Sequence, residues 1–234
     1  MANLVPVHPR ELAPTQPTIG RFEVSLKAER FRLMSPRDLD GYLDEKRSKD
    51  KGVQVVKGQG RFWVVDGHHT LTALDTLPEV RVLHLEQLED WTGLEEDDFW
   101  ERMRDGGWVL ERGLGVPVAV KDFPSRLGEL TDDPFRSLAW LIRKMGAFED
   151  FKQPYQEFTV ADFLREHMVF KPQMNHEYEL AALRAYELMR SEEAEKAADD
   201  EPLLGFLSRD LDDDLVASYY AVLEKARAPR YYGR

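Results

Sequence analysis

The feature that most constrains this chain is the stretch 53–77, VQVVKGQGRFWVVDGHHTLTALDTL, where two extended runs and a helical pattern meet at one polar knot. Val53, Val55 and Val56 precede the turn-rich Lys57-Gly58-Gln59-Gly60, and Phe62, Trp63, Val64 and Val65 then resume a β-branched and aromatic run. Glycine in such a connection predicts a β-hairpin. The second run stops at Asp66-Gly67, after which Leu71, Ala73, Leu74 and Leu77 recur at helical spacing, so a strand ends in a tight turn that opens a helix. The first amide N–H groups of a helix have no partner within it, and its dipole favours an anion there. Asp66 as a cap, Gly67 at positive φ and Thr70 as a capping hydroxyl would meet every structural need of the turn. A cap does not require His68 and His69 as well, whose side chains leave the helix about 100° apart. Two imidazoles beside a carboxylate therefore mark a candidate site.

The rest of the composition narrows what that site can do. The 234 residues allow one or two domains, and 42% hydrophobic with 32% charged residues describes an ordinary soluble globular chain. No apolar run is long enough to span a membrane, and the N-terminal MANLVPVHPREL lacks the basic-then-apolar order of a signal peptide, so the expected compartment is the cytoplasm. The absence of cysteine excludes disulfides, thiolate metal sites and cysteine nucleophiles. A net charge of −12 is the wrong sign for gripping a phosphate backbone along a surface, which makes nucleic acid the weaker candidate partner.

In chain order, Leu4 to Val7 reads as a strand, and prolines 9, 14 and 17 hold the following loop extended. A helix is expected from Gly20 with Phe22, Val24, Leu26 and Phe31, and a second from Pro36 with Leu39, Tyr42 and Leu43 as its apolar stripe. The charged tail Asp44 to Lys51 reads as a solvated helix end. Val80, Val82 and Leu83 predict a strand segment closed by Trp91, and Phe99, Trp100 and Met103 a helix stopped by Gly106-Gly107. Residues 114–120, interrupted by Pro117, are an edge strand or a loop. Asp132 or Asp133 can cap a helix whose first turn holds Pro134, with Phe135, Leu138, Ala139, Leu141 and Ile142 on its buried face. Further helices are expected after Pro154, from Glu177 to Lys196, and from about Leu211 to Ala226, while Tyr231 to Arg234 is expected to be mobile. The five tryptophans and the isolated His84, His167 and His176 read as structural. These elements predict an α/β (α+β) fold with a strand-rich domain at 1–122 and a helical region at 123–234.

Four blocks in this order resemble the ParB/sulfiredoxin superfamily, and more narrowly the ParB-like nuclease family of the ParBc_2 type. They are Leu12-Ala13-Pro14-Thr15-Gln16 with Gly20 and Lys27, then Val65-Asp66-Gly67-His68-His69, then Asp133-Pro134-Phe135-Arg136-Ser137-Leu138-Ala139-Trp140, and finally Glu157-Phe158 with Ala161 to Arg165. The resemblance covers roughly residues 4 to 167 and implies a ParB/sulfiredoxin-like N-terminal unit with a small mixed sheet. Sulfiredoxins carry a catalytic cysteine at this turn, which this chain lacks. Partition ParB proteins carry Gly-Glu-Arg-Arg, whose place is taken here by Gly67-His68-His69-Thr70. The free serine kinases of the superfamily carry Asp-Gly-His-His-Arg and a glutamate base near the N-terminal loop; this chain has Thr70 for the arginine and offers Gln16 or Glu23 near the loop, with Thr15, Gln16 and Glu23 as the expected substrate-loop residues.

On that basis the expected function is phosphoryl transfer from a nucleotide (ATP or ADP, with Mg²⁺) to a small hydroxyl-bearing metabolite. Asp66, His68 and His69 would be the catalytic groups, and Gly67, Thr70, Lys27 and Arg136 the phosphate-binding ones. Lys27 and Arg136 enter because each is a cation amid apolar neighbours, and a buried Arg136 needs a partner such as Glu157 or a bound phosphate. The alternative is a metal-dependent nuclease or DNA-binding protein, in which Asp66 and the two histidines hold a divalent metal. The residues do not choose the metal.

Overall fold

The computed structural model describes residues 3–48, 53–79, 81–151, 155–174, 176–206 and 214–228; the readings of Val80 and of Tyr231 to Arg234 lie outside them. The fold is mixed α/β, with a small mixed sheet and a helical C-terminal part. The chain divides into two compact units, one of Met1–Ile19 with Val24–Thr131 and one of Gly20–Glu23 with Asp132–Arg227.

The first unit carries the strands β1 (Leu4–Val7), β2 (Leu12–Ala13) and β3 (Thr18–Ile19), followed by helices α1 (Arg21–Arg32, whose first three residues count with the second unit) and α2 (Pro36–Ser48). Next come β4 (Gln54–Gly58), β5 (Arg61–Asp66), α3 (His68–Asp75), β6 (Leu83–Asp90), α4 (Glu96–Asp105) and the short pair β7 (Arg112–Gly113) and β8 (Val116–Pro117). Five strands form one sheet in the order β1-β6-β4-β5-β2. The expected hairpin is β4 against β5, antiparallel, with Val55 opposite Val64 and Val56 opposite Trp63. Because side chains alternate along a strand, Val55 and Val64 join a core with Val24, Leu43, Leu71 and Leu74, while Val56, Trp63 and Val65 meet Phe99, Trp100 and Met103 of α4. Burial on both faces explains why these two strands read as continuous apolar runs.

β6 corrects the sequence reading. The strand starts at Leu83 and runs to Asp90, so Val82 is outside it and the polar Glu86, Gln87 and Glu89 are within. Pairing with β1 on one side and β4 on the other supplies its backbone hydrogen bonds, and tertiary pairing overrides weak local β-propensity.

The second unit holds α5 (Pro134–Met145), α6 (Gln156–His167), α7 (Glu177–Leu188), α8 (Glu192–Asp200) and α9 (Leu215–Arg227). The short strand β9 (Thr131–Asp132) precedes α5. Asp133 caps α5 by accepting from Phe135 N at 3.1 Å, with Pro134 in the first turn as the sequence suggests. The single helix expected over 177–196 is two. Ser191 starts α8 with its hydroxyl on Ala194 N and three glutamates in the first turn, a start signal that a continuous apolar period conceals.

Gly58 lies so close to the ring of Phe99 that an added Cβ would stand 2.4 Å from it. Gly58→Ala is therefore expected to destabilise the protein by roughly 1–3 kcal/mol through overpacking, read as a lower midpoint of chemical denaturation.

Candidate functional site

The turn that joins β5 to α3 is built as its sequence requires. Gly67 sits at φ 90°, and a Cβ there would stand 3.1 Å from the Val53 side chain, so both backbone angle and space call for glycine. Asp66 is exposed, and its Oδ1 accepts from Gly67 N at 2.7 Å. No side chain caps α3, and its first turn holds no acidic residue. His69 and Thr70 follow, the first half-buried and the second buried.

His68 faces inward. Its Nε2 accepts from Thr15 N at 3.2 Å and lies 3.4 Å from the Thr15 hydroxyl. The Thr15 hydroxyl donates to Val64 O at 2.6 Å, and Thr15 O accepts from Leu110 N at 2.9 Å. The parallel pairing of β2 with β5 delivers this loop to the end of β5. Gln16 is buried and donates from Nε2 to Thr18 O at 2.7 Å. Thr15, His68 and the Asp66 turn are thus brought together within the first unit.

Lys27 is linked to the start of α3 only electrostatically, by way of a residue the sequence reading placed in an apolar stripe. The buried Tyr42 makes a side-chain hydrogen bond with Thr70 and lies within electrostatic reach of Lys27, Lys46 and Arg30. Burial pushes the Tyr42 phenol up, but Lys27, Lys46, Arg30 and the Thr70 hydroxyl together pull it below its ordinary value. Lys46 also stands 5.7 Å above the Tyr42 ring, so this part of the charged tail of α2 is packed and is not simply a solvated end. The signal available in the sequence was spacing: Lys27 and Arg30 share a face of α1, and Tyr42 and Lys46 a face of α2.

Arg136 and Glu23 belong to the second unit and are both buried. Arg136 pairs with Glu157 at 2.8 Å and stacks over the Phe158 ring, its guanidinium carbon 4.0 Å from the centroid. Glu157 is thus the carboxylate partner expected for it. Arg143 reaches the same Glu157 at 2.7 Å. These contacts are close but not aligned as hydrogen bonds, so they count as ion pairs. Among the described residues no group of three His, Asp or Glu side chains is placed to hold a metal ion.

His68→Ala leaves a buried Thr15 N–H without its acceptor and should cost about 1–3 kcal/mol, read by thermal denaturation as a lowered midpoint.

Comparison with known proteins agrees with the four blocks. The family profile described as "Putative ParB-like nuclease" matches residues 5–166. The crystal structure of protein Atu1540 from Agrobacterium tumefaciens superposes with a TM-score of 0.70 at 27% sequence identity, covering 84% of this chain and 95% of that one. No protein of curated function matches. The match over residues 5–166, with the Asp66 turn inside it, makes this chain a member of the ParB-like nuclease family.

Proposed function

We propose that this chain is a phosphoester-processing enzyme that takes one phosphate group at the start of α3 and hydrolyses a phosphodiester, as the family's nuclease description suggests. The observation that carries the reading is the start of α3 itself, which has no side-chain cap, with an exposed Asp66 in the turn just before it and a half-buried His69 in its first turn. Amides and dipole at such a terminus attract an oxyanion. A carboxylate and an imidazole within one turn of it can take a proton from water and return one to the leaving oxygen. His68 is the positioning residue, since its ring nitrogen is engaged by Thr15. Thr15 holds His68 in place, and Thr70 lies with His69 in the first turn of α3, on the phosphate side.

If Mg²⁺ takes part, Asp66 is the protein ligand on offer, in keeping with an ion that usually binds one or two carboxylates plus substrate phosphates. Bound there, it would supply neutralisation of phosphate charge.

A second reading, nucleotide-dependent phosphoryl transfer to a small hydroxyl-bearing metabolite, is favoured by the net charge of −12, which repels a long polyanion more than a single nucleotide. For the same reason, binding to random duplex DNA is expected to be weak at physiological salt.

One panel tests both readings: hydrolysis of a short single-stranded oligonucleotide, and phosphorylation of small hydroxyl compounds by ATP, each with Mg²⁺. Asp66→Asn keeps the turn's shape and should lower the active reaction about 100-fold or more while moving stability by no more than about 0.5 kcal/mol. If neither reaction occurs in the wild-type chain, or if Asp66→Asn leaves the observed one unchanged, the assignment is wrong.

A further inference from the structure

Two polar side chains stand in line with Asp66 across the sheet. Gln54 on β4 pairs with Asp66 of β5 on one side and with Glu86 of β6 on the other. Val55 pairs with Val64 and Gln54 with Asp66, which makes Val65 the extra residue of a β-bulge. The bulge resets the alternation along β5 and sets Asp66 on the face of its partner Gln54. Residues paired across strands have Cβ atoms about 4.5–5.5 Å apart, so the side chains of such a row can meet on one ligand. Gln54 and Glu86 are half-buried and Asp66 is exposed, which leaves the row open to solvent.

The hydrogen bonding decides what the row presents. Gln54 Nε2 donates to Glu86 Oε2 at 3.0 Å. An ionised carboxylate only accepts, so this bond fixes the amide: its nitrogen points toward β6 and its carbonyl oxygen, Oε1, away from it. Asp66 spends Oδ1 on Gly67 N at 2.7 Å and keeps Oδ2 for a ligand. At the far end of the same strand pair, adhesion is met by opposite charges, Lys57 on Asp90 at 3.2 Å. Beside the Asp66 turn the sheet instead sets an amide oxygen next to a carboxylate. Both are hard oxygen acceptors, the ligand type that a small divalent cation takes.

We infer that Asp66 and the Gln54 carbonyl oxygen are two ligands of one hard divalent cation, and that Glu86 is the positioning residue that holds the amide with its oxygen toward the ion. This rests on the reading that the start of α3 takes a phosphate group, and it extends that site across two further strands. The remaining positions on the ion fall to water and a phosphate oxygen, as is usual for Mg²⁺. A pair of protein oxygens, one of them from an amide, also accords with the lack of any three-membered His, Asp and Glu cluster among the described residues. A purely adhesive Gln54 would need only its nitrogen.

Mn²⁺ is the suitable probe, because it takes the same carboxylate, carbonyl and water ligands as Mg²⁺, and its electron-spin resonance signal in water is lost on binding. Titration of the full chain at physiological salt should show one site that Asp66→Asn weakens most. Gln54→Met keeps the length of the side chain without the amide; it and Glu86→Gln should each weaken Mn²⁺ about tenfold. Because Glu86 acts through Gln54, adding Glu86→Gln to Gln54→Met should cost no more than about twofold further, a non-additivity that mere loss of surface charge does not produce. The inference is overturned if the wild-type chain binds no Mn²⁺, if the site survives Asp66→Asn, if Gln54→Met binds like the wild type, or if the two substitutions add in full. These readouts are separate from turnover. Mn²⁺ held by Asp66 and Gln54 in a chain inactive on every phosphoester would sink the proposed function and leave this inference standing, and an active chain that binds no Mn²⁺ would do the reverse.

Discussion

Thr15 is the tie on which the first unit depends. Its amide is taken by His68 Nε2, its hydroxyl by Val64 O, and its carbonyl by Leu110 N. One buried residue thus fixes the N-terminal loop, the end of β5, the first turn of α3 and the segment before β7. Each bond contributes only about 1 kcal/mol when made, but a buried donor left without an acceptor costs more, so the arrangement is over-determined. That over-determination holds the turn carrying the exposed Asp66 at the start of a short helix that has no side-chain cap.

Much of this was legible because local chemistry and fold agree. Gly67 is demanded by φ and by Val53, Asp133-Pro134 by the start of α5, and the hairpin by valines and aromatics on both sides of a glycine-bearing turn. Where the reading went astray, the deciding interaction was distant in sequence. β6 looks too polar to be a strand until two neighbours pair with it. The break at Ser191 hides because one hydroxyl and a run of glutamates outweigh a helical period that would continue through them. Tyr42 reads as one more member of an apolar stripe, since nothing near it in sequence shows that its hydroxyl bonds with Thr70 within electrostatic reach of Lys27 and Arg30. The inward turn of His68 and the outward exposure of Asp66 were likewise invisible, because residues so close in sequence cannot announce which face the fold will bury.

The second unit solves a different problem, the placing of charge inside a helical core. Besides the buried Arg136, paired with the half-buried Glu157, it buries Asp133, which caps α5 with one oxygen and takes Arg165 with the other at 2.7 Å, while Arg165 also holds Asp162. The arginine planes lie against aromatic rings, Arg136 over Phe158 and Arg165 over Phe135, which shields their faces without removing their donors. Such pairs add little net stability over well-packed apolar residues, but they penalise every arrangement in which a charge is left alone.

The Arg136–Glu157–Arg143 triad has a consequence for how such a chain can change over generations. Removing Glu157 strands the buried Arg136 charge at a cost of about 3–5 kcal/mol, a large part of the roughly 5–15 kcal/mol that holds a typical domain folded. Replacing all three with apolar residues of similar volume can be close to neutral. The intermediate steps are therefore a valley between two acceptable sequences, and lineages are expected to keep the triad whole or to lose it together, so that substitutions at these three positions depend on one another's history.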